Sequence, residues 1–281
     1  MRAAVRAAVR AVVGAVALAL AVAPAAADRP CRDPIDEPIA VPWRDGGFDG
    51  ARGACPVRDV EATVRGRALI DTPAFYGTLG GDLLLALRQP VGAAGEWGVA
   101  ARVIDVAFVQ NAVWKLVTPT VGPVLVHGTL GRDATVAGRP ARGAVVAQLE
   151  LPYTRDDLAR WSTAAQVAAV ATWAVTPRLV VHGRVGVLGW YARAAVGSSA
   201  RGAALAAGDL AWRARRRLAL LVGVDAQAGW YRDGLDHLAV RAGVGWRVHG
   251  CWRLAFAAGA PLAGAERQDA AVDLGVRRDL E

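Results

Sequence analysis

Leu238-Ala239-Val240-Arg241-Ala242-Gly243-Val244-Gly245-Trp246-Arg247-Val248 is the stretch that decides the fold. An extended chain sends successive side chains to opposite faces. Leu238, Val240, Ala242, Val244, Trp246 and Val248 therefore share one wholly apolar face. Ala239, Arg241, Gly243, Gly245 and Arg247 share the other, which is small or cationic. The run is also long. A strand tilted about 45° needs roughly 9–11 residues to cross a bilayer, whereas strands of soluble domains are usually about 5–6.

The same period of two extends outward from this stretch. Leu218, Leu220, Val222, Val224, Ala226, Ala228 and Trp230 oppose Ala219, Leu221, Gly223, Asp225, Gln227 and Gly229. Val145, Ala147, Leu149, Leu151 and Tyr153 oppose Val146, Gln148, Glu150 and Pro152. Such alternation over such lengths is the strand signal. It predicts about twelve strands, at 57–70, 77–89, 97–110, 117–130, 143–154, 162–176, 179–193, 202–213, 217–231, 236–248, 252–262 and 270–280. Ten would result if the first hairpin did not form. In the third strand one phase exposes Arg102 and the other Asp105, so a bulge is expected near Arg102. The connection 131–142 stands out as long.

A soluble β-sandwich also alternates, so further signals are needed. Trp97, Trp114, Tyr153, Trp161, Trp190, Tyr191, Trp212, Trp230, Tyr231, Trp246 and Trp252 all fall near predicted strand ends. Membrane barrels place such rings at the headgroup level, where an apolar body and a polar tip are both satisfied. Trp97, Trp114, Tyr153, Trp190, Trp212, Trp230, Trp246 and Trp252 are the expected interfacial girdle. The face opposite the apolar one carries Gly, Ala and single charges, as a polar lumen does. The reading is an all-β fold, a transmembrane antiparallel up-and-down barrel.

Upstream, Arg2, Arg6 and Arg10 precede an apolar run, Ala11 to Ala23, broken only by Gly14, and Ala25-Ala26-Ala27 precedes Asp28. That is the pattern of a secretory signal peptide over residues 1–27. Asp28-Arg29-Pro30 before Cys31 is no lipobox. Residues 28–56, rich in Pro, Gly and charge, read as an irregular periplasmic segment and a candidate plug for the barrel of residues 57–281. Cys31 and Cys55 suit a disulfide in an oxidising compartment. Cys251, in a predicted turn, reads as a free thiol.

The charge balance is a weak guide to partners. The signal holds three arginines, so 30 of the 33 basic residues face all 25 acids in the mature chain, leaving +5. Lys115 is the only lysine, and the arginines are scattered near acids. A nucleic-acid protein would cluster them on one face, so no nucleic-acid partner is expected.

At pattern level, residues 57–281 resemble the bacterial outer-membrane β-barrel proteins, in particular small porin-like or transporter-like barrels. The final segment carries part of the likeness: Ala270-Ala271-Val272-Asp273-Leu274-Gly275-Val276-Arg277-Arg278-Asp279-Leu280. The resemblance implies outer-membrane lipid and the barrel-assembly machinery as partners. The class usually ends on Phe, Tyr or Trp, whereas this chain ends Leu280-Glu281.

No Gly-x-Ser-x-Gly elbow and no His-Glu-x-x-His zinc site occurs, so neither catalysis nor a cofactor or metal is expected. The expected lumen charges are Asp82, Glu150, His182, Arg184, Asp225, Arg241 and Arg247, with Glu61, Arg65, Arg67, Arg88, Asp209 and Arg253 on the same phase. They suggest a passive pore for small hydrophilic solutes with mild anion preference. The alternatives are a structural or assembly barrel closed by ion pairs, and a lipid-modifying enzyme at the barrel rim.

Overall fold

A computed structural model describes residues 54–56, 58–71, 76–110, 115–120, 123–153, 159–194, 197–229, 234–249, 251–264 and 270–279. The signal segment and most of 28–56 lie outside the described residues. Thirteen strands follow one another: β1 (Asp59–Asp71), β2 (Tyr76–Val91), β3 (Gly95–Gln110), β4 (Lys115–Thr120), β5 (Val124–Val136), β6 (Arg139–Tyr153), β7 (Ala159–Thr176), β8 (Leu179–Ala194), β9 (Gly197–Arg215), β10 (Leu218–Ala228), β11 (Leu235–His249), β12 (Trp252–Ala263) and β13 (Ala270–Asp279). Every pairing is antiparallel and between sequence neighbours, except that β3 also pairs with β5 and that β13 returns to β1 and closes the wall.

Twelve positions make up this wall, because β4 and β5 share one. β4 pairs with Asp105–Gln110 of β3, and β5 pairs with Gly95–Ala101 of the same strand. The break between them lies opposite a bulge. Leu83 faces Ile104 while Leu84 faces Arg102, which leaves Val103 as the extra residue. The bulge expected from the clash of phases at Arg102 is therefore present. Pro123, at the break, has no N–H for a ladder bond.

The connection 131–142 differs from the expectation of a long loop. Strand continues to Val136 and resumes at Arg139, joined by Ala137-Gly138 with φ of 49° and 72°. Two consecutive left-handed residues make the tight turn whose twist suits a hairpin. Gly131 to Ala134 carry no apolar alternation, which hid the strand. The connections 92–94, 137–138, 177–178 and 216–217 and the one at Cys251 all lie at the end where β1 starts and β13 stops. The connections after β1, β3, β6, β8, β10 and β12 lie at the opposite end, the loop end, and all but 195–196 are longer.

The faces separate sharply. Outside, Val64, Leu85, Leu130, Leu210, Val222 and Leu274 are exposed, and Trp97, Trp212, Trp246 and Trp252 project near the short-turn end. Trp252 also lies under the Arg278 guanidinium, 5.7 Å from the ring centroid. Trp161 and Tyr191 pack together at the loop end, with centroids 5.2 Å apart. Trp173 is half-buried because it borders a shallow outer trough of about 610 Å³. The trough floor is the directly paired row Gly143, Ala171, Gly183 and Gly208.

Trp190 departs from the expected girdle. It packs against a buried inner cluster of Leu84, Ala100, Leu125, Ala164, Leu188, Ala203 and Leu205. Period two explains this, since Trp190 shares its face with buried Leu188 and His182 while Val185 is exposed. Trp114 and Trp230 lie outside the described residues, as does the side chain of Tyr153.

Candidate functional site

The inner surface can be mapped row by row, because residues paired across an antiparallel ladder lie side by side; as the strands of a barrel tilt, each row climbs as it passes around the wall. Successive inward residues on a strand are roughly 7 Å apart along it. Three regions emerge between the short-turn end and the loop end.

At the short-turn end, charges from the two strands that close the wall meet their neighbours. Arg88 donates a fork to Asp59, Nε to Oδ1 at 2.8 Å and Nη2 to Oδ2 at 2.6 Å. Arg253 Nη2 donates to the same Asp59 oxygen at 2.9 Å and also reaches Asp279. Arg277 Nε stands 3.1 Å from Glu61, whose carboxylate accepts the Thr63 hydroxyl. Bidentate guanidinium–carboxylate pairs fix both partners in plane, so this web braces the seam.

The middle rows hold a second web. Arg241 Nη2 donates to Asp209 at 2.9 Å, Arg241 Nε lies 3.1 Å from Asp225, and His237 lies 3.4 Å from Asp225. Asp209 and Arg241 are two strands apart, with Gly223 between them in the same row. A Cβ on Gly223 would collide with the Asp209 carboxylate, so the bare glycine lets the pair form. In the same row, Arg142, Thr172 and His182 stand side by side on β6, β7 and β8. Thr172 Oγ1 and His182 Nδ1 share a 3.0 Å hydrogen bond.

Ala54 comes into this row from outside the wall. It is fully buried and packs on Ala144, Val146 and Val170. Its N–H donates to Thr172 Oγ1 at 3.4 Å, and its carbonyl accepts from Arg142 Nε at 2.7 Å. Arg142 also donates to Asp133 at 2.8 Å and to the carbonyls of Ala93 and Ala94 at 3.0 and 3.1 Å. One guanidinium thus ties a turn, the wall and the segment preceding β1. Cys55 is disulfide-bonded and Cys251 is free. Cys31 lies outside the described residues.

Toward the loop end the inner wall changes from charge to amide. Gly98, His127, Gln148, Gln166 and Leu188 are consecutive partners across β3, β5, β6, β7 and β8. Glu96 accepts or shares the proton of His127 Nε2 at 3.0 Å. The His127 ring lies over Gly98, where a Cβ would collide with it. Gln148 and Gln166 are each only 3% exposed.

Of the lumen charges read from the sequence, Asp82, Glu150, His182, Asp225 and Arg241 are buried, and Arg184 and Arg247 are half-buried with buried Nε atoms. The structure brings Asp225 and Arg241 together, and it places His182 beside Thr172. Asp82 is the register partner of Arg65 on β1, and Glu150 lies one row from Gln148 toward the loop end. The side chains of Arg65 and Arg67 lie outside the described residues. Sequence reading did not single out Ala54, Arg142 or the Gln148–Gln166 pair. Among the described residues, no group of three or more His, Cys, Asp or Glu could hold a metal ion.

No family model matches the chain, and no curated protein matches it either. Solved structures do. An outer-membrane channel from Pseudomonas putida F1 gives a TM-score of 0.57 at 13% identity, covering 84% of this chain and 100% of that one. The KdgM porin, in complex with disordered oligogalacturonate, gives 0.50 at 10% identity, covering 79% and 99%. The beta domain of the Bordetella autotransporter Brka gives 0.50 at 13% identity, also covering 79% and 99%. At these identities the likeness is one of fold. What the chain shares with them is the fold, a closed antiparallel β-barrel whose wall has twelve strand positions.

Proposed function

We propose that this chain resides in a bacterial outer membrane, after export directed by residues 1–27, and passes small hydrophilic solutes through its lumen. The observation that carries the reading is the placement of charge. Val, Leu and Trp are exposed on the outside, while Asp, Glu, Arg, His and Gln are buried within. A soluble protein has the reverse arrangement, and a membrane barrel with a polar interior has this one. The likeness to channels and porins supports the same reading.

Residues 28–56 are proposed as a plug whose final residues dock at the short-turn end. The support is Ala54, held inside the wall by Arg142 and Thr172. Cells are fractionated, and the outer-membrane extract is run with and without boiling. A heat-dependent shift supports the barrel, and recovery as a soluble periplasmic protein overturns it. Single-channel recording then compares the full chain with a deletion of 28–56. Larger conductance in the deletion supports the plug, and equal conductance removes it.

A specific observation favours a second reading. Asp59, Glu61, Arg88, Arg253, Arg277 and Asp279 are already paired with one another. Such a web suits a wall braced shut. Absence of current from both the full chain and the deletion selects the non-conducting structural barrel.

A further inference from the structure

The amide row toward the loop end has bonding capacity that the protein leaves unused. Gln148 Nε2 and Oε1, Gln166 Nε2, His127 Nδ1 and Thr129 Oγ1 are buried and have no hydrogen-bond partner among the described residues. His127, Gln148 and Gln166 are direct partners, side by side on three adjacent strands, and Thr129 lies one row nearer the short-turn end. A polar group buried without a partner forfeits the hydrogen bonds it made to water. Five such atoms on one patch are therefore a standing demand for something that donates and accepts.

The chemistry of that something can be narrowed. A carboxamide offers donors and acceptors side by side, and a hydroxyl does both at a single atom. Two facing carboxamides and a ring nitrogen thus match neighbouring hydroxyls. The charges around the patch are already engaged: Glu96 by His127, Arg88 by Asp59, and Glu150, one row nearer the loop end, in an interaction of its own. Toward β8 and β9 the row gives way to the apolar Leu188 and Ala203, and Ala100, Leu125 and Trp190 lie one row nearer the loop end; toward β2 it runs through Gly98 to Arg88, which holds Asp59. Hydroxyls on one edge and C–H groups on the flanks describe a sugar-like molecule.

We propose that His127, Gln148 and Gln166 form a binding site for an uncharged polyhydroxylated solute, which names the solute class of the lumen. The passage of that solute rests on the channel reading above; its binding does not. The site lies three rows from the Arg142–Thr172 row that holds Ala54, roughly 20 Å along the strands. It therefore lies on the loop-end side of Ala54.

The test uses the full chain in detergent and in proteoliposomes, with glucose and maltotriose as probes. Titration calorimetry measures binding, and liposome swelling compares sugar entry with that of betaine, which has no hydroxyl. Binding is expected to weaken about tenfold in Gln148→Leu/Gln166→Leu, from the loss of two or more hydrogen bonds. The sugar-to-betaine ratio should fall by a similar factor. Retention of the heat-dependent gel shift shows that the variant still folds. Saturable binding lost in the variant supports the site even where no solute enters, and that result overturns only the channel. Swelling with no sugar preference, together with no measurable binding in the parent, leaves the channel standing. It assigns the amides to ordered water and overturns the site. Binding that is unchanged in the double variant overturns it equally.

Discussion

Arg142 Nε donates to the carbonyl oxygen of Ala54 at 2.7 Å, across 88 positions of sequence. The same side chain donates to Asp133, Ala93 and Ala94, so its removal takes a charged donor from four acceptors, of which Ala94 keeps the Gly131 N–H. Hydrogen bonds to a charged group contribute about 1.5–3 kcal/mol. Arg142→Ala is expected to lower the urea midpoint of the folded band and to expose the chain near Cys55 to protease. Arg142→Lys keeps the charge without the fork and should fall between. Equal protease resistance in all three proteins would show that Arg142 does not hold the segment.

The His127 ring occupies the space above Gly98. Gly98→Ala forces the ring aside and separates it from Glu96, at a cost of about 1–3 kcal/mol for overpacking. Adding His127→Ala should restore part of the loss, because the ring collision disappears while the 2.9 Å approach to the Leu87 carbonyl remains. Thermal unfolding of the two single variants and the double variant reads this directly. A double variant no better than Gly98→Ala alone argues against the contact.

Val222 is half-exposed on the outward face of β10. An arginine at the midplane of a lipid-facing strand costs about 2–4 kcal/mol. Val222→Arg should therefore fold poorly into lipid vesicles, while Val222→Leu should fold like the parent. Equal folding yields for the two variants would mean that this face does not meet lipid.

Arg241 sits between Asp209 and Asp225. Arg241→Ala removes one positive charge and uncovers two carboxylates. In a salt gradient the reversal potential should move toward cation selectivity. A potential unchanged from the parent would place the pair off the conduction path.

Cys251 is free and half-buried at the short-turn end, the same end as both wall termini. With that end periplasmic, a membrane-impermeant maleimide should label Cys251 only after the outer membrane is permeabilised. Labelling in intact cells would invert the orientation.

Strand order and count were legible because lipid on one side and a polar interior on the other force period two along nearly every segment. Arg102 and Asp105 could not both face inward without an extra residue, so even the bulge could be read in advance. The side on which Trp190 lies was not legible, since inward Leu188 and Trp190 are as apolar as outward Val185 and Val187. The Gln148–Gln166 pair depends on register between strands, which local alternation does not encode. Ala54 carries no chemical signal at all. Its importance comes from its carbonyl, and every residue has one.

The pairing of Asp59 with Asp279 across the β1–β13 seam makes the numbering of the wall a matter of convention. A cylinder has no first stave. A linker joining position 279 to position 59, with new ends cut at the 177–178 turn, should yield the same cylinder. Its seam would then lie between β7 and β8, where nothing in the present wall marks a boundary.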